Sequence, residues 1–396
     1  MTIYDNLTLM LKSTHDFEIL EHINVDDMDD LVRKNLVIII SDQKGSDNIL
    51  MNQLIEYIKN AQFDVEVLKN VDELFHLMKK NISRIGYVLF TYNPLCRAWM
   101  SKKTPFDIYM IFRSLKDFGV HVYPNNKLSY FIGSRVYFKM FNDHYPEFSM
   151  PHSKVIFYPS WSPAFYEEYE KNILQYLDEL KQDECKVAVF RKSFTEGKIG
   201  KRFMKLDSTE EDKKEIIKSM EHGIVDDKIV DIGKFDKHSF KSTLIQYYCK
   251  MKPGTIYSMW YINGKFTDVY YTNDNKLVNH YNNQFLNKLK DYGYKFIKTF
   301  MKDFAKNIPE IFRLDIGVLL NNAMMDKHFT KIDSNKMRLY VHKIETEMGK
   351  ILNILEEKDE YNEFIDRFGS KICKVILLDL YKRTENSKIP DIIKKL

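Results

Sequence analysis

The most informative part of the sequence is Ile311-Phe312-Arg313-Leu314-Asp315-Ile316-Gly317-Val318, an apolar strand that carries a cation and a carboxylate two residues apart. Side chains alternate between the two faces of a strand, so Arg313 and Asp315 are predicted to share one face while apolar residues cover the other. A charged pair on one face of an otherwise buried strand indicates a functional site. The alternative is an exposed sheet face whose charges are solvated.

A second apolar strand follows, Leu339-Tyr340-Val341-His342-Lys343-Ile344-Glu345, and it also ends in ionisable groups spaced by two. By the same alternation, Lys343 and Glu345 share a face. If the two strands pair side by side, Asp315, Lys343 and Glu345 gather in one small volume.

Length and composition describe a globular chain of more than one unit. With 396 residues, of which 44% are hydrophobic and 14% aromatic, the chain is expected to form about two to three packed units. The net charge of +4 arises from 60 basic and 56 acidic residues. Because this balance is nearly even for the size of the chain, no nucleic-acid partner is expected.

Cysteine usage and the apolar runs predict a cytoplasmic protein. The four cysteines form no CxxC pair and have no close histidine partner, which argues against a zinc site or a disulfide framework and favours a reducing compartment. The N-terminus lacks the basic and apolar regions of a signal peptide, and apolar runs such as Leu36–Ile40 are far too short to span a bilayer. We therefore expect no membrane partner.

The sequence pattern changes at residue 35. Residues 1–34 are a predicted N-terminal extension that carries an acidic patch at 26–30. Over 35–130, short apolar strands such as Leu36–Ile40 alternate with helical segments, which predicts a Rossmann-like unit with a parallel sheet. No GxGxxG follows the first strand, so the dinucleotide-binding fingerprint is absent.

The later chain is organised differently. Over 131–250 the sequence predicts connecting helices, one of them at 133–142, and a small cation-rich lid subdomain with a glycine-bearing loop at 193–202. Over 251–350 it predicts an antiparallel sheet, because Asn263-Gly264 between two strand-like runs is a strong hairpin signal. Residues 351–396 read as C-terminal helices. The predicted fold class is therefore α/β plus α+β.

The order of these units resembles the ATP-grasp superfamily: a Rossmann-like parallel sheet domain, then a cation-rich hairpin unit, then an antiparallel sheet that ends in carboxylates. The resemblance covers roughly residues 36–350. It implies a pair of α+β subdomains that hold ATP between them, behind an N-terminal domain that helps to bind substrate. It also implies ATP and Mg²⁺ as cofactors, and a small molecule or a peptide as substrate.

The resemblance implies roles for individual residues around the nucleotide. Main-chain groups of the family's hinge strand meet the adenine edge, and that strand corresponds here to Gln246, Tyr247 and Tyr248. Phosphate-contacting lysines of the family correspond to Arg135 and to either Arg191 or Lys192. The mobile glycine-rich loop that closes over the β- and γ-phosphates corresponds to Ser193, Thr195, Gly197, Lys198 and Gly200.

The resemblance also implies roles for the charged strand ends. Asp315 matches the family's magnesium-binding carboxylate, and Glu345 occupies a companion position. Arg313 is the implied catalytic residue, which neutralises the transferring phosphoryl group. Lys343 departs from the family pattern, since it stands where a second metal carboxylate is expected.

Three functions remain open at this point. The first is an ATP-dependent carboxylate ligase, in which an amine attacks an acyl phosphate. The second is phosphoryl transfer to a hydroxyl, as in the inositol polyphosphate kinase branch of the superfamily, to which the cationic residues around Lys198 would contribute. The third is a catalytically degenerate nucleotide-binding protein, favoured by Lys343. Nucleic-acid binding is disfavoured by the balanced charge, and the sequence does not indicate an oligomeric state.

Overall fold

The structure of the protein is a computed structural model. It describes residues 35–41, 49–60, 63–98, 101, 103, 105–150, 152–158, 163–195, 200–220, 223–225, 228–230, 241–248, 256–262, 264–271, 283–301, 311–320 and 337–346. The predicted extension 1–34 and the predicted C-terminal helices 351–396 lie outside the described residues, and the domain boundaries remain predictions.

The N-terminal sheet is parallel, as the sequence predicts. Its strand order is β2-β1-β3-β4. Every residue of β1 and β3 is buried, which fits a parallel sheet covered by helices on both faces. The strands and the helices between them are β1 (Leu36–Ile40), α1 (Ile49–Asn60), β2 (Asp64–Leu68), α2 (Val71–Asn81), β3 (Ile85–Phe90), α3 (Pro105–Asp117) and β4 (His121–Tyr123).

Two helices connect this sheet to the next one, and they meet at Arg135. The sequence predicts one helix over 133–142, but the structure has α4 (Asn126–Ser134) and α5 (Val136–His144). Arg135 breaks the helix because its backbone is left-handed, with φ 59°. Its buried side chain donates to the backbone carbonyl groups of Lys192 and Thr195, and these bonds hold the break in place.

The middle sheet is antiparallel, with strand order β5-β10-β6-β7. Two helices pack on one of its faces around a core that includes Ile173, Phe190 and Ile245. Two short strands, β8 (Gly223–Val225) and β9 (Lys228–Val230), pair only with each other within the described residues. The remaining elements of this unit are β5 (Ser153–Tyr158), α6 (Pro163–Gln182), β6 (Val187–Lys192), β7 (Lys201–Lys205), α7 (Glu210–Ser219) and β10 (Lys241–Tyr247).

The C-terminal sheet is also antiparallel, with strand order β12-β11-β13-β14. A two-residue connection that contains Gly264, at φ 72°, joins β11 to β12, which confirms the predicted hairpin. The elements are β11 (Ile256–Ile262), β12 (Lys265–Tyr271), α8 (Asn283–Phe296), a π-helical turn (Ile297–Met301), β13 (Ile311–Leu320) and β14 (Met337–Glu345).

One face of the C-terminal sheet belongs to a large apolar core. Phe312, Leu314 and Ile316 of β13 are fully buried there, among side chains of α4, α5 and α8. Many of the packed groups are aromatic, and the Phe141 ring lies 4.8 Å from the Phe300 ring, centroid to centroid. Because this core takes up the apolar face, the charged residues of β13 and β14 lie on the opposite face, which is turned toward the middle sheet.

Candidate active site between the middle and C-terminal sheets

The two charged strands pair directly. Arg313 lies opposite Glu345, and Asp315 lies opposite Lys343. Cross-strand partners point to the same face of a sheet, so these four side chains form one cluster on the face that the core leaves open. The predicted gathering of Asp315, Lys343 and Glu345 is confirmed.

Arg313 is at the centre of this charged cluster and is 0% exposed. Its Nε donates to Asp315 Oδ1 at 2.8 Å and its Nη2 to Asp315 Oδ2 at 3.0 Å. The same Nη2 donates to Glu345 Oε2 at 2.5 Å. The guanidinium carbon also lies 5.8 Å from the centroid of the Trp260 ring, within range of a cation–π contact. A charge buried this deeply is tolerated because it is paired and hydrogen-bonded on several sides.

The carboxylate oxygens of the cluster all have cationic or hydroxyl partners. Ser258 Oγ donates to Asp315 Oδ1 at 2.6 Å, in addition to the two bonds from Arg313. The remaining oxygen of Glu345, Oε1, pairs with Lys343 Nζ. Two carboxylates therefore face two cations, and the cluster has no net charge.

A magnesium ion does not fit this set of contacts. Mg²⁺ is bound through carboxylate oxygens in octahedral array, and these oxygens already accept from Arg313, Lys343 and Ser258. An ammonium group about 4 Å from a bound dication would oppose it by roughly 8 kcal/mol at an effective dielectric constant near 20. Within the part of the chain that the structure describes, no three His, Cys, Asp or Glu side chains are grouped to hold a metal. The assignment of Asp315 and Glu345 as magnesium ligands stays a prediction that these contacts do not favour.

The facing surface of the middle sheet is cationic. Arg191 pairs across the sheet with Lys201, so the two side chains share a face. Asp315 and Tyr340 of the C-terminal sheet act electrostatically on Arg191, which places Arg191 near the charged cluster. Burial and the neighbouring charge of Arg135 lower the pKa of Arg191 to about 10, and Asp315 is among the groups that oppose this shift. At neutral pH Arg191 is cationic and lies within electrostatic range of that carboxylate.

Lys192 lies on the opposite face of the middle sheet. It pairs with Thr243, whose hydroxyl bonds to Tyr169 of helix α6 at 2.5 Å, and the lysine is buried. Of the two alternative phosphate contacts that the sequence suggests, Arg191 is thus the one on the cleft side.

His342 adds a neutral base to the same cleft. It is the extra residue of an irregularity in β14, between the pairs Asp315–Lys343 and Ile316–Val341. Burial, followed by the charge of Arg191, lowers the pKa of His342 to about 3, with smaller effects from Asp315, Lys343 and Lys201. Its Nδ1 has no hydrogen-bond partner among the described residues. At neutral pH the imidazole is uncharged, because protonation would add a further cation to this group.

The turn after β6 is fixed by Arg135. Arg135 Nε donates to the carbonyl oxygen of Lys192 at 3.1 Å, and Nη2 donates to that of Thr195 at 2.9 Å. Thr195 Oγ1 donates to the same Lys192 carbonyl at 2.7 Å. The Ser193 amide donates to the Ser242 carbonyl at 2.8 Å. Arg135 is therefore committed to backbone groups of the turn, while Gly197 and Lys198 of the predicted loop lie outside the described residues.

Gly200 closes this turn where other residues would not fit. Its φ is +64°, and a Cβ atom there would lie 2.7 Å from Thr195 Oγ1 and 3.0 Å from Lys192 Cβ. The Gly200 carbonyl accepts from the Lys192 amide at 2.9 Å. Glycine is thus required by both backbone conformation and space.

Comparison with known proteins supports the fold. No protein-family model matches the sequence, and a search of curated proteins found no match either. Among solved structures, D-cycloserine synthetase DcsG superposes with a TM-score of 0.53 at 11% identity, over 86% of this chain and 99% of that one. A RimK domain protein ATP-grasp from Sphaerobacter thermophilus DSM 20745 matches with a TM-score of 0.47 at 8% identity, over 80% of this chain and 96% of that one.

This chain has the ATP-grasp fold. The mixed architecture, with a parallel sheet followed by two antiparallel sheets, confirms the predicted fold class. In the part of the chain that is described, no helix combines the length and the apolar composition needed to cross a membrane.

In this ATP-grasp fold the hinge residues lie at the end of β10. Gln246 is buried and pairs with Val189, on the same face as Arg191, and its Nε2 has no hydrogen-bond partner among the described residues. Tyr247 packs partly against the helix side of the sheet. The amide of Tyr248 donates to the Val187 carbonyl at 2.8 Å. Their contact with an adenine ring stays a prediction.

A small pocket lies where the three sheets of the ATP-grasp fold meet. It is lined by side chains from the end of β3, from the Arg135 turn and from the end of β14. Sequence reasoning missed the pocket residue Asn93, which follows β3, and also Ser258 and Trp260 of the charged cluster, because each is a single polar or aromatic residue without a motif. Its polar lining residues are Asn93, Arg135, Thr195, Lys343, Glu345 and Thr346.

Proposed function

We propose that this protein binds ATP in the cleft between the middle and C-terminal sheets and acts as an ATP-dependent ligase. A substrate carboxylate oxygen attacks the γ-phosphorus and ADP leaves. An amine then attacks the acyl carbon of the mixed anhydride and phosphate leaves. The observation that carries the proposal is the opposition of Arg191 and Lys201 on one sheet to the Arg313–Asp315–Glu345 cluster on the other.

The predicted roles divide between the two sheets. From the middle sheet and its turn, Arg191 is best placed for the phosphates, since fixed cations hold phosphate oxygens. The Lys192 side chain points to the other face of the sheet, and Arg135 holds the turn through its hydrogen bonds. Both residues contribute by shaping that turn. The lid role is assigned to the loop residues Ser193, Thr195, Gly197, Lys198 and Gly200.

Arg313 takes part in this proposal through the groups it holds. Its Nε and Nη2 are bonded to both buried carboxylates, so it sets the position and charge of Asp315 and Glu345. Direct neutralisation of the transferring phosphoryl group by Arg313 stays a prediction. The substrate, a small molecule or a peptide, would enter through the pocket lined by Asn93 and Thr346.

Binding is tested by titrating ATP into the protein in a calorimeter. Arg191→Met is expected to weaken binding about 10- to 150-fold, because a hydrogen bond to a charged group contributes about 1.5–3 kcal/mol. Lys214→Met is the matched control: it removes a cation of the exposed face of helix α7, which pairs with Glu170 at 3.8 Å, and should leave binding unchanged. Equal affinity of Arg191→Met and the parent protein would refute the proposed phosphate site.

Turnover separates the ligase from the other candidates. ADP release that depends on an amino acid or a peptide supports the ligase, whereas release that depends on an inositol phosphate supports transfer to a hydroxyl. One observation favours a third outcome, ATP binding without turnover: Glu345 is paired with both Arg313 and Lys343. ATP binding without ADP release, whether amino acids, peptides or inositol phosphates are added, would favour that function and count against the ligase.

A further inference from the structure

We infer that the ammonium group of Lys343 takes the place of a protein-bound divalent cation, so that the cleft binds ATP without magnesium. This inference rests on the proposed binding of ATP. It concerns which positive charge meets the triphosphate, and it makes Lys343 a binding residue that donates hydrogen bonds to phosphate oxygens.

The first support is the exposure of the cluster members. The side chains of Arg313, Asp315 and Glu345 are 0%, 2% and 3% exposed, whereas that of Lys343 is 20% exposed. Lys343 is therefore the most accessible member of the cluster, and Glu345 lines the same pocket. A metal site would instead present carboxylate oxygens as its most accessible groups.

The second support is the position of Lys343. It lies directly opposite Asp315 in the sheet and lines the pocket together with Arg135 and Thr195 of the turn after β6. That turn leads into the loop proposed to close over the phosphates. The ammonium is held by Glu345 Oε1, which fixes its direction.

The third support is the charge around it. His342 is surrounded by Arg191, Lys343 and Lys201, with Asp315 as the opposing charge. Both carboxylates are already neutralised by Arg313 and Lys343. The surface that remains toward the ligand is therefore cationic, which attracts a polyphosphate and repels a free dication.

The experiment measures ATP affinity by calorimetry in EDTA and in excess Mg²⁺. The parent protein is expected to bind ATP in EDTA within about threefold of its affinity in Mg²⁺. Lys343→Glu replaces the ammonium by a carboxylate, so binding in EDTA should fall more than about 100-fold and should recover when Mg²⁺ is added. Lys214→Glu, the same charge reversal on the exposed face of helix α7, should change neither affinity.

Direct metal binding is the second readout. Mn²⁺ titrated without nucleotide and followed by electron paramagnetic resonance should stay unbound with the parent protein. Lys343→Met, which removes the charge without adding a carboxylate, should weaken ATP binding equally in EDTA and in Mg²⁺. This variant tests the role of the ammonium group if Lys343→Glu does not fold. Circular dichroism checks the folding of each variant.

The outcomes separate this inference from the proposed function. Binding of ATP by the parent protein only in Mg²⁺, or tight binding of Mn²⁺ alone, would overturn the role of Lys343 and leave ATP binding intact. No ATP binding in either buffer would overturn both.

Discussion

Replacement of Arg313 by methionine tests whether the charged cluster is a stabilising core element as well as a site. The change removes a fully buried guanidinium that bonds to Asp315 at 2.8 and 3.0 Å and to Glu345 at 2.5 Å. Two carboxylates then remain buried without the guanidinium, Asp315 still bonded to Ser258 and Glu345 still paired with Lys343. Removing one partner of a buried ion pair costs about 3–5 kcal/mol, and we expect Arg313→Met to lower the free energy of unfolding by that amount.

The assay is urea unfolding followed by tryptophan fluorescence, because the Trp260 ring lies 5.8 Å from the guanidinium carbon. The control is Arg84→Met. Arg84 pairs with Asp64 at the same 2.8 Å distance, but the two side chains are 49% and 58% exposed. An exposed pair of this kind contributes about 0–1 kcal/mol. The Arg84–Asp64 and Arg313–Asp315 pairs thus have the same N–O distance of 2.8 Å and differ in burial.

A triple variant separates the loss of the ion-pair attraction from the cost of leaving two carboxylates buried without the guanidinium. Arg313→Met combined with Asp315→Leu and Glu345→Leu removes the carboxylates together with the guanidinium, and replacing a buried ionic group by apolar residues is often neutral. We expect the triple variant to regain most of the stability that Arg313→Met loses. A loss of less than about 1 kcal/mol in Arg313→Met, or a triple variant no more stable than the single one, would refute this account of the cluster.

Two further predictions concern the core and the pH response. A Cβ atom on Gly293 would lie 1.7 Å from the hydroxyl oxygen and 2.9 Å from Cζ of Tyr261, so Gly293→Ala should cost about 1–3 kcal/mol by overpacking; a Tyr261→Phe background removes the oxygen but keeps Cζ, so the cost should fall without vanishing, which thermal unfolding of the four combinations checks. Burial lowers the pKa of His342 to about 3, so between pH 6.5 and 3 only the unfolded chain protonates this imidazole. The free energy of unfolding therefore decreases as the pH is lowered below 6.5, by up to about 1.4 kcal/mol per pH unit. His342→Gln should flatten that fall between pH 6.5 and 5, and an unchanged slope would contradict the assignment.

The charged face of the C-terminal sheet was predictable because β13 alternates strictly. Phe312 and Leu314 enter the core, while Arg313 and Asp315 face the cleft. The cleft-facing cation of β6 was not predictable in the same way. Residues 187–190 are apolar at every position, so alternation does not reveal which face is which, and only the pairing with β10 places Arg191 on the cleft side. The helix break at Arg135 has no proline or glycine signal at that residue and depends on bonds to a turn 57 and 60 residues later.

The position of Lys343 follows from the same core that sets the fold. Leu339, Val341 and Ile344 of β14 all pack on the apolar side, and their spacing is two residues and then three. A regular strand keeps a period of two, so the extra residue, His342, must be absorbed by the irregularity seen opposite Asp315 and Ile316. If His342 were instead part of a regular strand, Lys343 would share a face with Val341 and would turn toward the core. The bulge therefore allows one strand both to complete the apolar core and to present an ammonium group to the cleft, as bulges near sites commonly do when they re-aim a side chain.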